Sequence, residues 1–266
     1  MKVSSLIGLV IGLAGLYLGA TLEGSNPLAV LNLPAMLIVL GGTLGATIMG
    51  TSFDAVKAIP MQYKRVFAPD SPDLNAKVAE LVGYAEAARR DGLLALDEVT
   101  SNIEDPFTKK GLQLVVDGTD PDLVADILES ENDAMRKRHG AGVQPFDKAG
   151  GYAPTMGIIG TVFGLIHVLG NLDKPATLGP SISAAFVATL LGVASANVIY
   201  LPISARLKQL SQDELHARAL IVEGILSIQA GDNPRVVQEK LITFVPPALR
   251  VDADAKGGAN AEKAAA

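Results

Sequence analysis

The chain has 266 residues, of which 49% are hydrophobic and 5% aromatic, and its formal net charge is −6. It contains no cysteine, which excludes disulfides, thiol nucleophiles and cysteine-ligated metal sites. Its three histidines are scattered along the chain, so we expect no histidine-rich metal cluster. The acidic balance, without a basic region, indicates that the protein does not bind nucleic acid.

Four long apolar stretches carry no Asp, Glu, Lys or Arg, and they come as two close pairs. They run Val3–Leu22, Leu28–Phe53, Gly151–Leu172 and Ser181–Ser204. A bilayer core of ~30 Å needs about 20 apolar residues in a helix, and each stretch reaches that length. Because only helices and closed barrels satisfy their own backbone in lipid, the pattern predicts an all-α membrane protein with four transmembrane helices in two hairpins.

The alternative for the first stretch is a cleaved signal peptide, because Lys2 precedes it. Its apolar run is longer than the ~7–15 residues of a signal core, and a second apolar stretch follows almost at once. We therefore expect the first stretch to be an anchored helix.

The distribution of Lys and Arg predicts the orientation. The connection between the first two stretches has neither residue, and the connection between the last two has only Lys174, beside Asp173. The other ends of the stretches are flanked by Lys57, Lys64, Arg65, Arg136, Lys137, Arg138, Lys148, Arg206 and Lys208. Both termini and the central segment are thus expected in the cytoplasm.

The central segment has the signals of a helical insert. Ser71-Pro72-Asp73 is expected to start a helix, with the Ser71 hydroxyl as its cap and Pro72 in its first turn. Asp120-Pro121-Asp122 is expected to start a second one. Gly92 is expected to interrupt the first helix, and Gly140-Ala141-Gly142 to stop the last one.

These patterns divide the chain into five regions. We expect a transmembrane hairpin over residues 1–53, a cytoplasmic helical insert over 54–150, a second transmembrane hairpin over 151–204, a cytoplasmic helical segment over 205–250 and a disordered tail over 251–266.

Four motifs, in order along the chain, resemble the A subunits of bacterial flagellar stators, the MotA/PomA family. They are Arg89–Glu98, Ala153–Leu165, Tyr200–Ile203 and Glu223–Arg235, which are similar to the family's loop motif, third membrane helix, end of the fourth helix and C-terminal signature. The number of helices, the orientation and the size of the insert also fit.

The resemblance implies a torque-generating ion channel for protons or sodium, with no cofactor, in the bacterial inner membrane. Family A subunits form a homo-oligomeric ring, a pentamer, around helices of a B subunit that carries an intramembrane Asp and binds the cell wall. Ion flux drives the ring against the flagellar rotor ring. The alternative is a TolQ/ExbB-like energiser of envelope processes, but those proteins usually have three membrane helices with the insert after the first.

The residues themselves also require a partner if ions cross. Ion relays through lipid are normally built on intramembrane ionisable groups, and the four stretches offer no carboxylate. Glu23 lies at an external edge, and the titratable candidates that we consider inside the stretches are His167 and Tyr17. The acid must come from another chain. A membrane enzyme, the third class considered, would need a cluster of acid, base or nucleophilic groups near a helix end, and the sequence shows none.

Thr161 and Thr189 are the candidate residues of the ion pathway, because hydroxyls can coordinate sodium or orient water. From the residues alone we favour packing, with the hydroxyls bonded to backbone carbonyls. The resemblance aligns both with threonines of sodium-type stators, while some proton-type members have Ala in place of Thr161. That pattern slightly favours sodium over protons, and the ion stays open.

Pro154 and Pro202 are the candidate conformational hinges, because each removes a backbone donor and can kink a helix. From the residues alone, a helix boundary is the alternative, above all for Pro202, and Pro34 fits the first turn of the second helix. The hinge role, coupling ion passage to the insert, is implied by the resemblance.

Arg89, Arg90, Asp97 and Glu98 are the candidate rotor contact. Alone, such a group is typical of a solvated helix face. The resemblance implies that these charges meet complementary charges on the rotor, where exposed pairs steer an encounter more than they strengthen it.

Overall fold

The computed structural model describes residues 4–67 and 72–250, whose regular elements are all helices, with turns between them and no strand. Its helices are α1 Ser4–Leu22, α2 Leu33–Gly50, α3 Phe53–Lys57, α4 Ile59–Phe67, α5 Leu74–Asp91, α6 Leu96–Thr100, α7 Pro106–Val116, α8 Pro121–Leu169, α9 Pro175–Gln229 and α10 Pro234–Ile242. The expected disordered tail, 251–266, lies outside the described residues.

Four of these helices, α1, α2, α8 and α9, are long and apolar enough to cross a membrane. This confirms the predicted all-α membrane fold. The last two, with 49 and 55 residues, are much longer than a bilayer requires. Their remaining turns therefore extend beyond the apolar stretches.

Most of the predicted helix starts and interruptions in the insert are present. Asp73 caps α5, its carboxylate accepting the Ala76 N–H at 3.2 Å. Pro72 precedes this cap, so its predicted place in the first turn is wrong, and the predicted cap Ser71 lies outside the described residues. Gly92 ends α5 with φ of +87°, a conformation that favours glycine. Pro121 begins α8, as predicted.

The predicted stop at Gly140-Ala141-Gly142 is wrong, because α8 continues through it to Leu169. Neither glycine adopts the positive φ of a helix C-cap. A Cβ at Gly142 would lie 2.6 Å from Nε2 of Gln62, in α4. Gly142 therefore allows a close helix contact, and it does so without ending the helix.

The chain divides into two compact units, each made of two separate segments. We call residues 1–70 and 137–211 the membrane unit, and residues 71–136 and 212–266 the insert unit. The insert unit has one large aliphatic core, whose fully buried side chains include Leu81, Leu112, Leu128, Leu220 and Ile225.

The membrane unit has smaller buried clusters. One contains Val66, Val143, Phe146, Ile203 and Leu207, with the Tyr63 ring edge-on to Phe146 at 5.4 Å between centroids. The other is formed by Ala35, Val39, Val187 and Ala188, where α2 packs against α9.

Candidate functional site

The apolar parts of α8 and α9 approach each other through glycine and alanine. A Cβ at Gly192 would lie 2.4 Å from the Ala153 carbonyl oxygen, and one at Gly157 would lie 2.8 Å from the Ala188 carbonyl oxygen. Real Cβ atoms do not come so close to backbone, so only glycine fits here. Small residues give membrane helices this kind of contact, since lipid supplies no hydrophobic force between them.

This close contact brings Thr161 of α8 and Thr189 of α9 together, and their hydroxyls bond each other. Thr161 Oγ1 lies 3.1 Å from the carbonyl oxygens of both Gly157 and Ala185. Thr189 Oγ1 lies 3.3 Å from the same Gly157 oxygen. Both hydroxyls thus lie within hydrogen-bond distance of backbone carbonyl oxygens, as the packing interpretation expects.

The same arrangement also gathers four oxygens, two from hydroxyls and two from carbonyls, between two helices. Each hydroxyl has one proton and two lone pairs, so it can donate to a carbonyl or turn its lone pairs toward a cation or a water. The membrane parts of the chain add no carboxylate to this cluster. The cluster can thus bind an ion or a water briefly, but it cannot take up a proton by itself near neutral pH.

Pro154 lies inside α8, two turns before Thr161. It has no N–H to give to the carbonyl of Gly150, one turn earlier. Leu201 packs directly on that glycine, since a Cβ at Gly150 would lie 2.4 Å from Leu201 Cδ2. The missing hydrogen bond in α8 therefore lies beside the α9 residue that precedes Pro202.

Pro202 also lies inside its helix, so the helix-boundary interpretation of this residue is wrong. The π-helical segment Ala196–Tyr200 comes just before it, and Leu201 N–H donates to the Ala196 carbonyl. A wider turn gives the proline ring room against the preceding turn, which explains why α9 continues. Pro34 lies in the first turn of α2, after the cap Asn32, as predicted.

Thr43 and Thr47 were not singled out by the sequence pattern. Each is 2% exposed, and neither hydroxyl has a hydrogen-bond partner among the described residues. Buried polar groups without partners are rare in folded proteins. Their spacing of four residues puts both on one face of α2. A polar pair at this spacing in an apolar helix is the sequence feature by which they could have been found.

The four candidate rotor-contact residues are all exposed, on either side of Gly92. Arg89 and Arg90 are in the last turn of α5, and Asp97 and Glu98 are in the first turn of α6. The structure pairs Arg90 with neither of these acids, because its guanidinium bonds Asp91 at 2.8 Å. That hydrogen bond lowers the pKa of Asp91 and raises that of Arg90.

Comparisons with known proteins identify the family of this chain. Residues 99–219 match the model of the MotA/TolQ/ExbB proton channel family. The chain is 37% identical over 268 residues to motility protein A of Bacillus subtilis, covering 99% of this chain and 98% of that protein. It is 36% identical over 250 residues to chemotaxis protein PomA of Vibrio alginolyticus, covering 92% of this chain and 96% of that protein.

Solved structures give the same result for the fold. The structure of Campylobacter jejuni MotAB matches with a TM-score of 0.88 at 34% identity, covering 93% of this chain and 97% of that one. The flagellar MotAB stator complex of B. subtilis matches with a TM-score of 0.85 at 36% identity, covering 91% and 95%. The matched family model is that of a proton channel family, which confirms the expectation of a transport protein over a membrane enzyme. The chain belongs to the MotA/TolQ/ExbB proton channel family, as its motifs predicted.

Proposed function

We propose that this chain is the A subunit of a bacterial flagellar stator, which forms an ion channel with a B subunit and converts an ion gradient into torque. The observation that carries this conclusion is the full-length similarity to motility A proteins and to solved MotAB complexes. The four membrane-span helices and the hydroxyl cluster of Thr161 and Thr189 supply the parts such a channel needs.

The B subunit supplies the acid. No carboxylate lies within the four apolar stretches of this chain, and ion relays through lipid need a titratable group. We propose an Asp on a B-subunit helix, surrounded by a homo-oligomeric ring of this chain, as a pentamer. The ring lies in the bacterial inner membrane with both termini in the cytoplasm, as the Lys and Arg distribution favours.

The ion, a proton or sodium, passes at Thr161 and Thr189. Their oxygens face each other across a helix contact that is too tight for bulky side chains. Pro154 and Pro202 act as hinges, since each leaves a backbone carbonyl without its usual donor close to the contact between Gly150 and Leu201. Bending there links the channel to the cytoplasmic parts of α8 and α9.

Arg89, Arg90, Asp97 and Glu98 contact the rotor ring protein. What supports this is their exposure, their two signs of charge and their position around the rigid turn at Gly92. A contact that is made and broken repeatedly is better served by exposed charges than by an apolar surface, since charges steer the encounter with little added affinity.

The test of the ion pathway compares Thr161→Ala with Thr155→Ala. Thr155 is exposed on the same helix, and its hydroxyl bonds only the Tyr152 carbonyl. Swimming speed is measured over a series of sodium concentrations at fixed membrane potential. Thr161→Ala should lower the speed and change its sodium dependence, whereas Thr155→Ala should swim as the wild type. Equal behaviour of the two variants would return Thr161 to a packing role.

The requirement for a partner is tested in liposomes. The purified chain alone should conduct neither protons nor sodium, and coexpression with the B subunit should restore flux. Conduction by the isolated chain would contradict the proposal that the B subunit supplies the acid of the ion path.

A further inference from the structure

The membrane unit contains a cavity of about 340 Å³ that does not include the hydroxyl cluster. Helices α1, α4 and α9 form its walls. Its lining includes Ser5, Gly8, Leu9, Phe67, Val198 and Arg206. The wall formed by α1 thus consists of small and apolar residues, and the wall formed by α9 ends at the cation Arg206.

Arg206 is the unusual member of this cavity. Its Nη1 donates to Oε1 of Gln209 at 3.1 Å, but its Nε and Nη2 are buried and have no hydrogen-bond partner among the described residues. A guanidinium cannot lose its charge in a protein. Leaving its donors buried and unpaired is costly, so the site as it stands is incomplete.

The described part of the cavity offers no anion to complete it. None of the residues that line it is an Asp or a Glu. Asp147, an acid of the same unit, is already bonded by Ser204 and by Lys208, whose Nζ lies 2.6 Å from its Oδ2. Among the residues that the structure describes, no acid pairs with Arg206, so its two free donors are open to an anion from outside the chain.

The surroundings indicate where that partner comes from. Helix α1 buries none of its residues within this chain and is apolar along its length, so we take the side of the cavity that it forms to face lipid. Arg206 follows the fourth apolar stretch at the end flanked by Lys and Arg, the end assigned to the cytoplasm. The cationic part therefore lies at headgroup depth, and the apolar part extends toward the acyl chains.

We infer that this cavity binds one anionic glycerophospholipid of the cytoplasmic leaflet. Its phosphate accepts hydrogen bonds from Nε and Nη2 of Arg206, whose planar fork matches two phosphate oxygens. One acyl chain lies along Gly8, Leu9 and Val198. A free phosphate would satisfy the cation but leave this apolar wall unfilled, which is why we assign a lipid.

The experiment uses the full-length chain, purified with its B subunit from vesicles of phosphatidylglycerol and phosphatidylethanolamine, and counts retained lipids by native mass spectrometry. Arg206→Gln should reduce retained phosphatidylglycerol about tenfold, as expected for the loss of a charged hydrogen bond. Gly8→Leu should do the same without touching the charge, because a Cβ at Gly8 meets no atom within 4 Å and the new side chain can fill the cavity.

The matched control is Lys57→Gln, which removes a cation that lies over the Phe53 ring and not in the cavity. It should retain lipid as the wild type does. Equal retention by wild type and Arg206→Gln would overturn the inference. So would an equal loss in Lys57→Gln, which would indicate general attraction to basic residues. Displacement of the lipid by inorganic phosphate alone would show a free-anion site instead.

Discussion

The core of the insert unit and the apolar part of the α8–α9 contact in the membrane unit bury different kinds of side chain. The core of the insert unit is made of large aliphatic residues such as Leu81, Leu112 and Leu220, each 0% exposed. Within the apolar stretches, α8 contacts α9 through Gly157, Gly192 and alanines, with backbone nearly touching backbone. Both regions are closely packed, the first by large side chains and the second by small ones.

The difference follows from the two solvents. In water, burying a large aliphatic side chain stabilises the folded state by about 1.5–3 kcal/mol, so large side chains are favoured in a core that is surrounded by water. In lipid the same side chain gains little by leaving the surrounding acyl chains, so helix association depends on close approach and on polar contacts. The many exposed apolar side chains of α1 and α2 are consistent with this, since lipid is their partner.

The largest effect is expected from Leu81→Ala in the insert unit. Leu81 is fully buried and packs on Gly224, where a Cβ would lie 2.8 Å from Leu81 Cδ1. Its truncation should cost about 2–5 kcal/mol, measured as faster amide hydrogen exchange across α5 in the full-length protein. Leu94→Ala, at a side chain that is 77% exposed, is the control and should change little. Similar exchange in the two variants would show that the insert unit lacks a cooperative core.

The second prediction is that enlarging a side chain at the contact of α8 with α9 destabilises the membrane unit. Gly192→Ala adds one methyl group 2.4 Å from the Ala153 carbonyl oxygen, a backbone atom that cannot turn away. We expect a loss of about 1–3 kcal/mol, seen as a lower thermal midpoint in detergent. Gly179→Ala in the same helix meets nothing within 4 Å and should be neutral or stabilising. If Gly192→Ala were also neutral, the backbone contact would not be what holds α8 to α9.

The third prediction separates fold from function on the surface of the insert unit. Arg90→Glu should leave stability nearly unchanged, because the Arg90 side chain is 77% exposed. It should nonetheless impair swimming, while assembly with the B subunit survives. Arg136→Glu, at another exposed arginine of this unit, is the control and should swim normally.

A charge swap sharpens that third prediction. Arg90→Glu combined with the opposite reversal on the facing rotor helix should restore swimming. Failure of every rotor reversal, together with loss of ion flux in the single variant, would make these residues structural.

The smallest effect is a pH dependence at the exposed end of the insert unit. The Lys240 ammonium donates to Asp232 at 2.8 Å, which lowers the pKa of Asp232 from 3.8 and raises that of Lys240 from 10.5. The depressed carboxyl pKa stabilises the fold above pH 3.8, and this contribution is lost as the pH falls through the lowered value. The raised ammonium pKa contributes below pH 10.5 and is lost as the pH rises through the higher value.

Asp232→Asn should therefore reduce the protection of α10 against hydrogen exchange slightly at neutral pH. The difference from wild type should disappear in acid, after correction for intrinsic exchange rates. Glu239→Gln, at a carboxylate whose side chain is 72% exposed, should show no such pH dependence. A difference that persists in acid would exclude the ion pair as its cause.

The sequence by itself determined the four apolar helices, the helical insert and the turn at Gly92. These depend on composition and on residues close in the chain, such as Asp73, which caps the helix that begins next to it. The channel motifs were also local, so both threonines of the candidate pathway could be named from the sequence.

Only the tertiary structure decided what the ambiguous small and polar residues do. Gly142 suits a helix end and a close contact equally well, and Gln62, from a different helix, settles it by packing where a Cβ would be. Thr161 meets Thr189 because Gly157 and Gly192 let the backbones touch. Arg206 keeps two nitrogens unpaired within the described part of the chain, where no acid lines its cavity. Such outcomes depend on atoms far apart in the chain, whose meeting is fixed by packing and not by local preference.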